Sequence, residues 1–408
     1  MSIFQEKPSK PFVGLNFLYM GLSNRWGSEE RTILKDCEVS QKAGANVHLY
    51  TYKDSVIDLR AKELGIKRIY HQGKFVTKFY KWHKLRRLKG LITELKINVV
   101  HCYDIKVLWP LCLYLRQFPE VPLLFSLGND LKTYYRDFWY RPLVERVDQI
   151  LLPMPEMVEN VWGHIGVPPR KIESVGLGLA VPVKNPIEER PPFRFTDKRW
   201  YLGTNLNGIE TNTHFLDTIF HAFRVLIERG LEGKSYTFTL CNERNWSECV
   251  LTDELRRQVK DWGLEEHVAF VEESDVGLHQ PYIDLWLGLV RREDLEDYAV
   301  QALLGGKPVL IPRTASSMEL FRGFGVIGET YLKGDSREIR EKVETILGNI
   351  GTYEKNLHKS HEFLLSSYGA KSYQNIMIST YKKVLKRRKR LLKAKRSRNK
   401  LLSRRNSP

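Results

Sequence analysis

A chain of 408 residues with 42% hydrophobic and 28% charged side chains has globular composition and is too long for one ordinary core, so wholesale disorder is excluded and two domains are expected. Its formal charge is +17, but residues 382–408 alone carry 14 Lys and Arg and no acid, which leaves 51 basic against 48 acidic residues, +3 in all, on the body. The five cysteines, Cys37, Cys102, Cys112, Cys241 and Cys249, are odd in number and scattered, which points away from a disulfide framework or a zinc site and toward a reducing compartment.

The opening MSIFQEKPSKPF has charge but no apolar run behind it, so no signal peptide is expected. The longest apolar run, 107–115, is interrupted by Pro110 and falls far short of the ~20 residues a bilayer span needs. Apolar runs at 12–18, 46–51, 67–71, 98–102, 123–126 and 149–152 read as strands. Amphipathic stretches at 28–42, 84–96, 106–117 and 156–163 read as the helices between them, the pattern of a parallel sheet covered by helices. Pro182, Pro186, Pro191 and Pro192 then crowd one segment that cannot sustain a helix and reads as a linker.

The alternation restarts with strands at 200–203, 236–241, 268–271, 284–290 and 308–312 and helices at 212–229, 254–262, 296–304 and 336–347. The last has a clear start: Asp335 can cap it, Glu338 stands three residues on, and Ile339, Val343, Ile346 and Leu347 share one face. The expected fold is α/β, two doubly wound Rossmann-like domains facing a cleft, with a basic C-terminal tail. Its boundaries are an N-terminal domain over 1–183, a linker over 184–198, a C-terminal domain over 199–366, a crossing helix over 367–385 and a tail over 386–408.

Ligands of open α/β sheets collect at the carboxyl ends of strands, where loops and helix N-termini present backbone N–H groups. Two stretches qualify. Trp26-Gly27-Ser28-Glu29-Glu30 opens the first helix; Gly27 would let backbone approach a phosphate, or Ser28 simply caps the helix. Residues 291–309 run from a strand end through a helix starting near Glu296 to Gly305-Gly306. Glu293 and Gln301, eight apart, would sit at the loop mouth and about one turn inside that helix, unless the acids only complement the helix dipole.

The ordered segments resemble the family 4 type of retaining glycosyltransferases, of GT-B fold, over roughly residues 12–385. GSEERTILKDCEVSQKAGANVHLYT is similar to the family's glycine loop, first helix and second strand, and INVVHCYDIKVLWPL to its fourth strand and following helix. DQILLPMPEMVENVWGHIGVPPRKIESVGLGL resembles a stretch that ends in an Asn-Gly turn, here Leu177-Gly178. Residues 282–312 resemble the donor-binding core, and SYGAKSYQNIMISTYKKVL the closing helix. The departures are specific. The family's second donor-site Glu is Gln301, the Gly-Phe-Gly after the first is Asp294-Leu295-Glu296, the His-Gly after the fifth strand is Leu127-Gly128, and no Arg or Lys stands in 203–209.

The resemblance implies metal-independent, retaining transfer from a UDP- or GDP-sugar to a glycan, lipid or envelope acceptor, as in cell-envelope polysaccharide synthesis. On that basis Glu293 holds a sugar hydroxyl at the reacting centre and Gln301 the ribose. Backbone donors of Leu295, Glu296 and Tyr298, with Gly27 and Ser28, cradle the diphosphate; Gly203 and Asn205 line the donor site after the first strand of the second domain. Val271 and Glu272 flank the nucleobase, and Asn129 and Asp130 face the acceptor. The alternative is a catalytically impaired GT-B protein with a binding or structural role in an envelope or coat assembly.

Two basic segments complete the sequence. Residues 74–89 hold Lys74, Lys78, Lys81, Lys84, Arg86, Arg87 and Lys89 without an acid, with Phe79, Tyr80 and Trp82 nearby and a stripe of Leu85, Leu88, Ile92 and Leu95. With the 382–408 tail, they suggest contact with an anionic membrane face from the cytoplasmic side. The tail has no aromatic interleaving beyond Tyr381, so sequence-specific nucleic-acid binding is not expected.

Overall fold

The computed structural model describes residues 10–23, 27–71, 86–128, 131, 145–155, 157–181, 199–206, 214–242, 252–272, 280–288, 297–322 and 325–405. The proline-rich segment 182–198, residues 72–85, and the positions Asn129, Asp130, Glu293, Leu295 and Glu296 lie outside the described residues. The chain forms two compact units, Met1–Gly176 with Tyr373–Pro408, and Leu177–Ser372.

In the first unit, strands β1 (Asn16–Gly21), β2 (Asn46–Tyr52), β3 (Lys67–His71), β4 (Ile97–Cys102), β5 (Leu123–Ser126), β6 (Gln149–Leu152) and β7 (Ile172–Ser174) form one sheet in the order 3-2-1-4-5-6-7. Every described pair is parallel. Helices α1 (Ser28–Lys42), α2 (Val56–Glu63), α3 (Arg86–Glu94), α4 (Ile105–Tyr114) and α5 (Met157–Ile165) lie between the strands in sequence. The first strand begins four residues later than its apolar run suggests. Residues 11–14 turn, with Gly14 at φ 78° and Leu15 N–H donating to Phe12 O at 3.0 Å, so Phe12 enters the core from outside the sheet. Strands β1, β5 and β6 are buried almost throughout, which is why they read as continuous apolar runs rather than alternating ones.

The second unit repeats the plan. Strands β8 (Arg199–Asn205), β9 (Ser235–Asn242), β10 (Val268–Glu272), β11 (Leu285–Leu287), β12 (Val309–Pro312) and β13 (Gly328–Tyr331) form a parallel sheet in the order 10-9-8-11-12-13. Its helices are α6 (His214–Arg229), α7 (Thr252–Asp261), α8 (Asp297–Leu304), α9 (Ala315–Arg322), α10 (Ser336–Gly348) and α11 (Ile350–Tyr368). One core gathers Leu202, Phe220, Phe223, Phe238 and Val343, and another Trp286, Val300, Leu303, Ile311 and Leu357. Asp335 caps α10 as expected, accepting from the N–H groups of Arg337 and Glu338 at 3.0 and 2.9 Å. Glu338 does not close a capping box; its carboxylate accepts from Leu332 N–H at 2.6 Å and from Arg313 at 2.8 Å.

Gly203 lies at the crowded centre of this sheet. A Cβ there would come within 2.5 Å of Ile283 Cδ1 and 2.9 Å of two Trp286 ring carbons. Since Trp286 is fully buried and cannot swing away, Gly203→Ala is expected to destabilise by about 1–3 kcal/mol, read as a lower urea midpoint with unchanged slope.

The last helix, α12 (Ala370–Arg405), contributes its first three residues to the second unit and the rest to the first. Tyr373, Met377, Tyr381 and Val384 recur at steps of four, four and three, the spacing of one helix face, and join the core of Phe12, Phe17, Tyr19 and Leu49. Farther along, Arg388 pairs with Asp148 at 3.1 Å and donates to Pro119 O at 2.5 Å, while Lys383 pairs with Glu173 at 3.4 Å. Most of the segment expected as a tail is thus helical, to Arg405.

Candidate functional site

The order of each sheet defines where a ligand would sit, because the chain reverses its direction of growth between β1 and β4 in the first unit and between β8 and β11 in the second. At the first reversal, β1 ends at Gly21 and Gly27 forms the N-cap of α1. Gly27 is extended, φ −164° and ψ −166°, a conformation open to any residue; a Cβ there would meet only Glu30 Oε2, at 3.3 Å. Gly27 itself has no side chain to cap the helix, and Glu29 and Glu30 occupy the first turn. Those carboxylates favour the helix dipole and oppose a second anion. Only the backbone of Ser28 is described.

Next to it, β4 ends at Cys102 and Asp104 caps α4, accepting from Lys106 N–H at 2.7 Å, with its carboxyl raised above the usual range by burial. Beyond β5, Leu127 is buried and its N–H donates to Leu151 O at 3.0 Å. A Cβ at Gly128 would face open space. Asn160 of α5 fixes the far side of this loop by accepting from Leu131 N–H at 2.9 Å.

At the second reversal, Thr204 Oγ1 donates to Leu287 O at 2.7 Å and ties the ends of β8 and β11 together. Tyr331 O–H donates to Gly288 O at 3.0 Å, closing the loop after β11 from the β13 side. Asn205 is buried at the end of β8. Tyr298, in the first turn of α8, stacks on Trp286 with centroids 6.1 Å apart and planes at 20°, so its ring belongs to the wall of the core. Gln301 is half-buried one turn into α8; its carbonyl accepts from Gly305 N–H at 2.9 Å, and its side-chain amide has no hydrogen bond among the described residues. Val271 is buried in the core beside Cys241 and Trp286, and of Glu272 only the backbone is described.

The first unit also holds a buried polar network that sequence reasoning missed. Asp36, fully buried on α1, accepts from Tyr373 O–H at 2.5 Å and Tyr103 O–H at 2.6 Å. His101 Nδ1 lies 2.8 Å from Tyr381 Oη and its Nε2 2.8 Å from Ser126 Oγ, while Tyr19 Oη reaches Ser40 at 2.6 Å and Tyr381 at 2.9 Å. Burial raises the Asp36 carboxyl to about 6, against the opposing pull of its tyrosine hydrogen bonds, and lowers the His101 imidazole to about 3. The two lie 3.9 Å apart, within ion-pair reach, but a histidine so held stays neutral at physiological pH. The network fastens α12 to β1 and β4. A signal for it existed: Asp36 and Ser40 share the helix face of Ile33 and Cys37, and a polar group on a buried stripe requires partners.

Cys37, Cys102, Cys112 and Cys241 are buried without disulfides. Among the described residues, no three His, Cys, Asp or Glu side chains are grouped to hold a metal ion, and no helix is long and apolar enough to cross a membrane.

Residues 30–180 match the family model described as Glycosyltransferase Family 4. A comparison with curated proteins gives no match. Among solved structures, a glycosyltransferase from Rickettsia africae superposes with a TM-score of 0.75 at 10% identity, covering 91% of this chain and 99% of that one. Anabaena HepE in complex with UDP gives 0.69 at 15% identity, covering 90% and 100%. A UDP-GlcNAc 2-epimerase from Neisseria meningitidis, bound to UDP-GlcNAc, gives 0.63 at 14% identity, covering 90% and 100%. At such identities the likeness is one of fold. The chain has the GT-B fold of two Rossmann-like units, and its region 30–180 matches the family 4 model.

Proposed function

We propose that this chain transfers a sugar from a UDP- or GDP-sugar to a glycan, lipid or envelope acceptor, with retention and without a metal. One observation carries the reading: a family 4 match over 30–180 stands on a chain that shares its fold, over 90% of its length, with a UDP-bound protein. In this reading the end of β8, with Asn205, and the start of α8 receive the donor. Glu293 holds a sugar hydroxyl, Gln301 the ribose, and the backbone N–H groups of 295–298 stabilise the departing diphosphate, as an oxyanion hole does for developing charge. Gly27 and Ser28 offer backbone donors to the diphosphate, Val271 and Glu272 flank the base, and Asn129 and Asp130 face the acceptor. Such chemistry depends on charge stabilisation at the leaving group more than on a strong base. Work on a lipid or envelope acceptor would place the chain at the cytoplasmic face of a membrane, with its basic segments toward the lipid.

A second reading has one specific support. Leu127, at the position of the family's His, is buried apolar packing, and 203–209 offer no cation to the phosphates. A protein that binds a nucleotide without turnover would fit both facts. UDP- and GDP-sugars at millimolar concentration are expected to raise the thermal midpoint by about 2–5 °C, the consequence of saturating a folded-state site. No shift with any common nucleotide sugar would remove the donor site; a shift without sugar transfer or donor hydrolysis would favour the second reading.

A further inference from the structure

The first unit carries a groove at the pole opposite its proposed ligand end. Pro11, Phe12 and Leu15 form one wall, just before the amino end of β1, and Lys382, Leu385, Lys386, Lys389, Arg390, Leu392 and Lys393 of α12 form the other, around a volume of about 570 Å³. The whole of β1 separates it from the loop before Gly27. Lys382, Lys386, Lys389, Arg390 and Lys393 follow one another at steps of four, three, one and three, which sets all five on one face of the helix. All five are exposed, and among the described residues none has an acidic partner. By contrast Lys383, at the edge of this row beside Arg390, and Arg388, on another face, are held by Glu173 and Asp148. The helix thus divides its charge: some cations bind it to the sheet, and a separate row faces the groove unmatched.

The groove's floor is apolar: the half-buried Leu392 lines it, and Val13, 69% exposed, follows its lining residue Phe12. A nucleic acid or acidic polymer needs the cations but gains nothing from that floor, and the aromatics here, Phe12 and Tyr381, are buried and cannot stack on bases. An amphiphile with a phosphate head and hydrocarbon body uses both. We propose that this groove docks the chain on a membrane by taking the headgroup of an anionic phospholipid, with Lys386, Lys389, Arg390 and Lys393 around the phosphate and Val13 and Leu392 entering the interface. This gives the membrane contact of the proposed function a defined surface, and its test needs no donor, so its failure is distinguishable from failure of the transferase reading.

The full chain is sedimented with phosphatidylglycerol-rich vesicles and with pure phosphatidylcholine vesicles. Binding is expected to the first, to weaken with salt, and to be negligible to the second. Replacing Lys386, Lys389, Arg390 and Lys393 together by Gln is expected to lower vesicle affinity roughly 100-fold. Removing the same charge elsewhere, at the exposed Lys53, Lys106, Lys333 and Lys355, should change it by no more than about twofold. The double variant Val13→Ser, Leu392→Ser should weaken vesicle binding roughly fivefold while leaving binding to single-stranded RNA unaltered. Equal losses from the two quadruple variants would reduce the effect to net charge and overturn the assignment. So would tighter binding to RNA than to vesicles, or vesicle binding indifferent to the apolar pair.

Discussion

Substituting Asp36 by Asn is expected to make the first unit progressively less stable, relative to the unaltered protein, as pH falls from about 6.5 to about 4. The reason is a pair of opposed linkages. The Asp36 carboxyl, raised to about 6 by burial, binds a proton more tightly folded than unfolded, so its contribution is fully present below the unfolded value and is lost as pH rises toward 6. His101, lowered to about 3 by burial, does the reverse: its contribution is present above the unfolded value and is lost as pH falls below it. Between pH 4 and 6 the folded pair and the unfolded pair bind the same number of protons, and the two slopes cancel. Removing Asp36 leaves the histidine slope alone, about 1.4 kcal/mol per pH unit, or roughly 3 kcal/mol over the window.

Replacing His101 by Asn should reveal the opposite slope, with stability falling as pH rises from 4 to 6. Urea midpoints of the two variants against the unaltered protein, taken across pH 4 to 7, measure both signs. Parallel curves would show that the groups do not titrate as their burial requires. Either change also leaves hydroxyls with poorer partners: Tyr103 and Tyr373 in the first case, Tyr381 and Ser126 in the second. A pH-independent loss of about 1–3 kcal/mol is therefore expected beneath the slope.

That network also shows where sequence reading stops. Strands 67–71, 123–126 and 149–152 stand where their apolar runs place them, as does helix 28–42, because each is a local pattern buried on a predictable face. The short strands β7 and β13, of three and four residues, offered too few residues for a period. Helix α11 was missed because its buried Tyr353, Leu357, Leu364 and Tyr368 are diluted by polar residues over nineteen positions. The partners of Asp36 come from up to 337 residues away, and no local window joins them. Gly203 makes the same point at the candidate site. A glycine closing the apolar run 200–203 suggests room for a ligand, yet the strand continues to Asn205, and Ile283 and Trp286, some eighty positions on, already fill the space where its side chain would be. Gln301 is half-buried about one turn into α8, as the spacing from the helix start placed it.

The largest catalytic effect is expected at Glu293. In the proposed mechanism its carboxylate grips a sugar hydroxyl most strongly as the diphosphate departs, so Glu293→Gln should lower turnover roughly 100-fold while UDP affinity stays within about twofold. The split follows from what each product contains: UDP has no transferred sugar for that carboxylate to hold. Gln301 should behave in the opposite way. If its amide meets the ribose, Gln301→Ala weakens UDP binding by about 2–10-fold, and Gln301→Glu, which restores a charged acceptor, strengthens it by a similar factor. Turnover at saturating donor should change little in either. Calorimetric titration of UDP and steady-state transfer rates on the three variants separate the roles. A Glu293→Gln protein that loses nucleotide binding along with activity would place that side chain on the nucleotide or in the fold. Unchanged UDP affinity in both Gln301 variants would remove the ribose contact and, with it, the assignment of α8 to the donor.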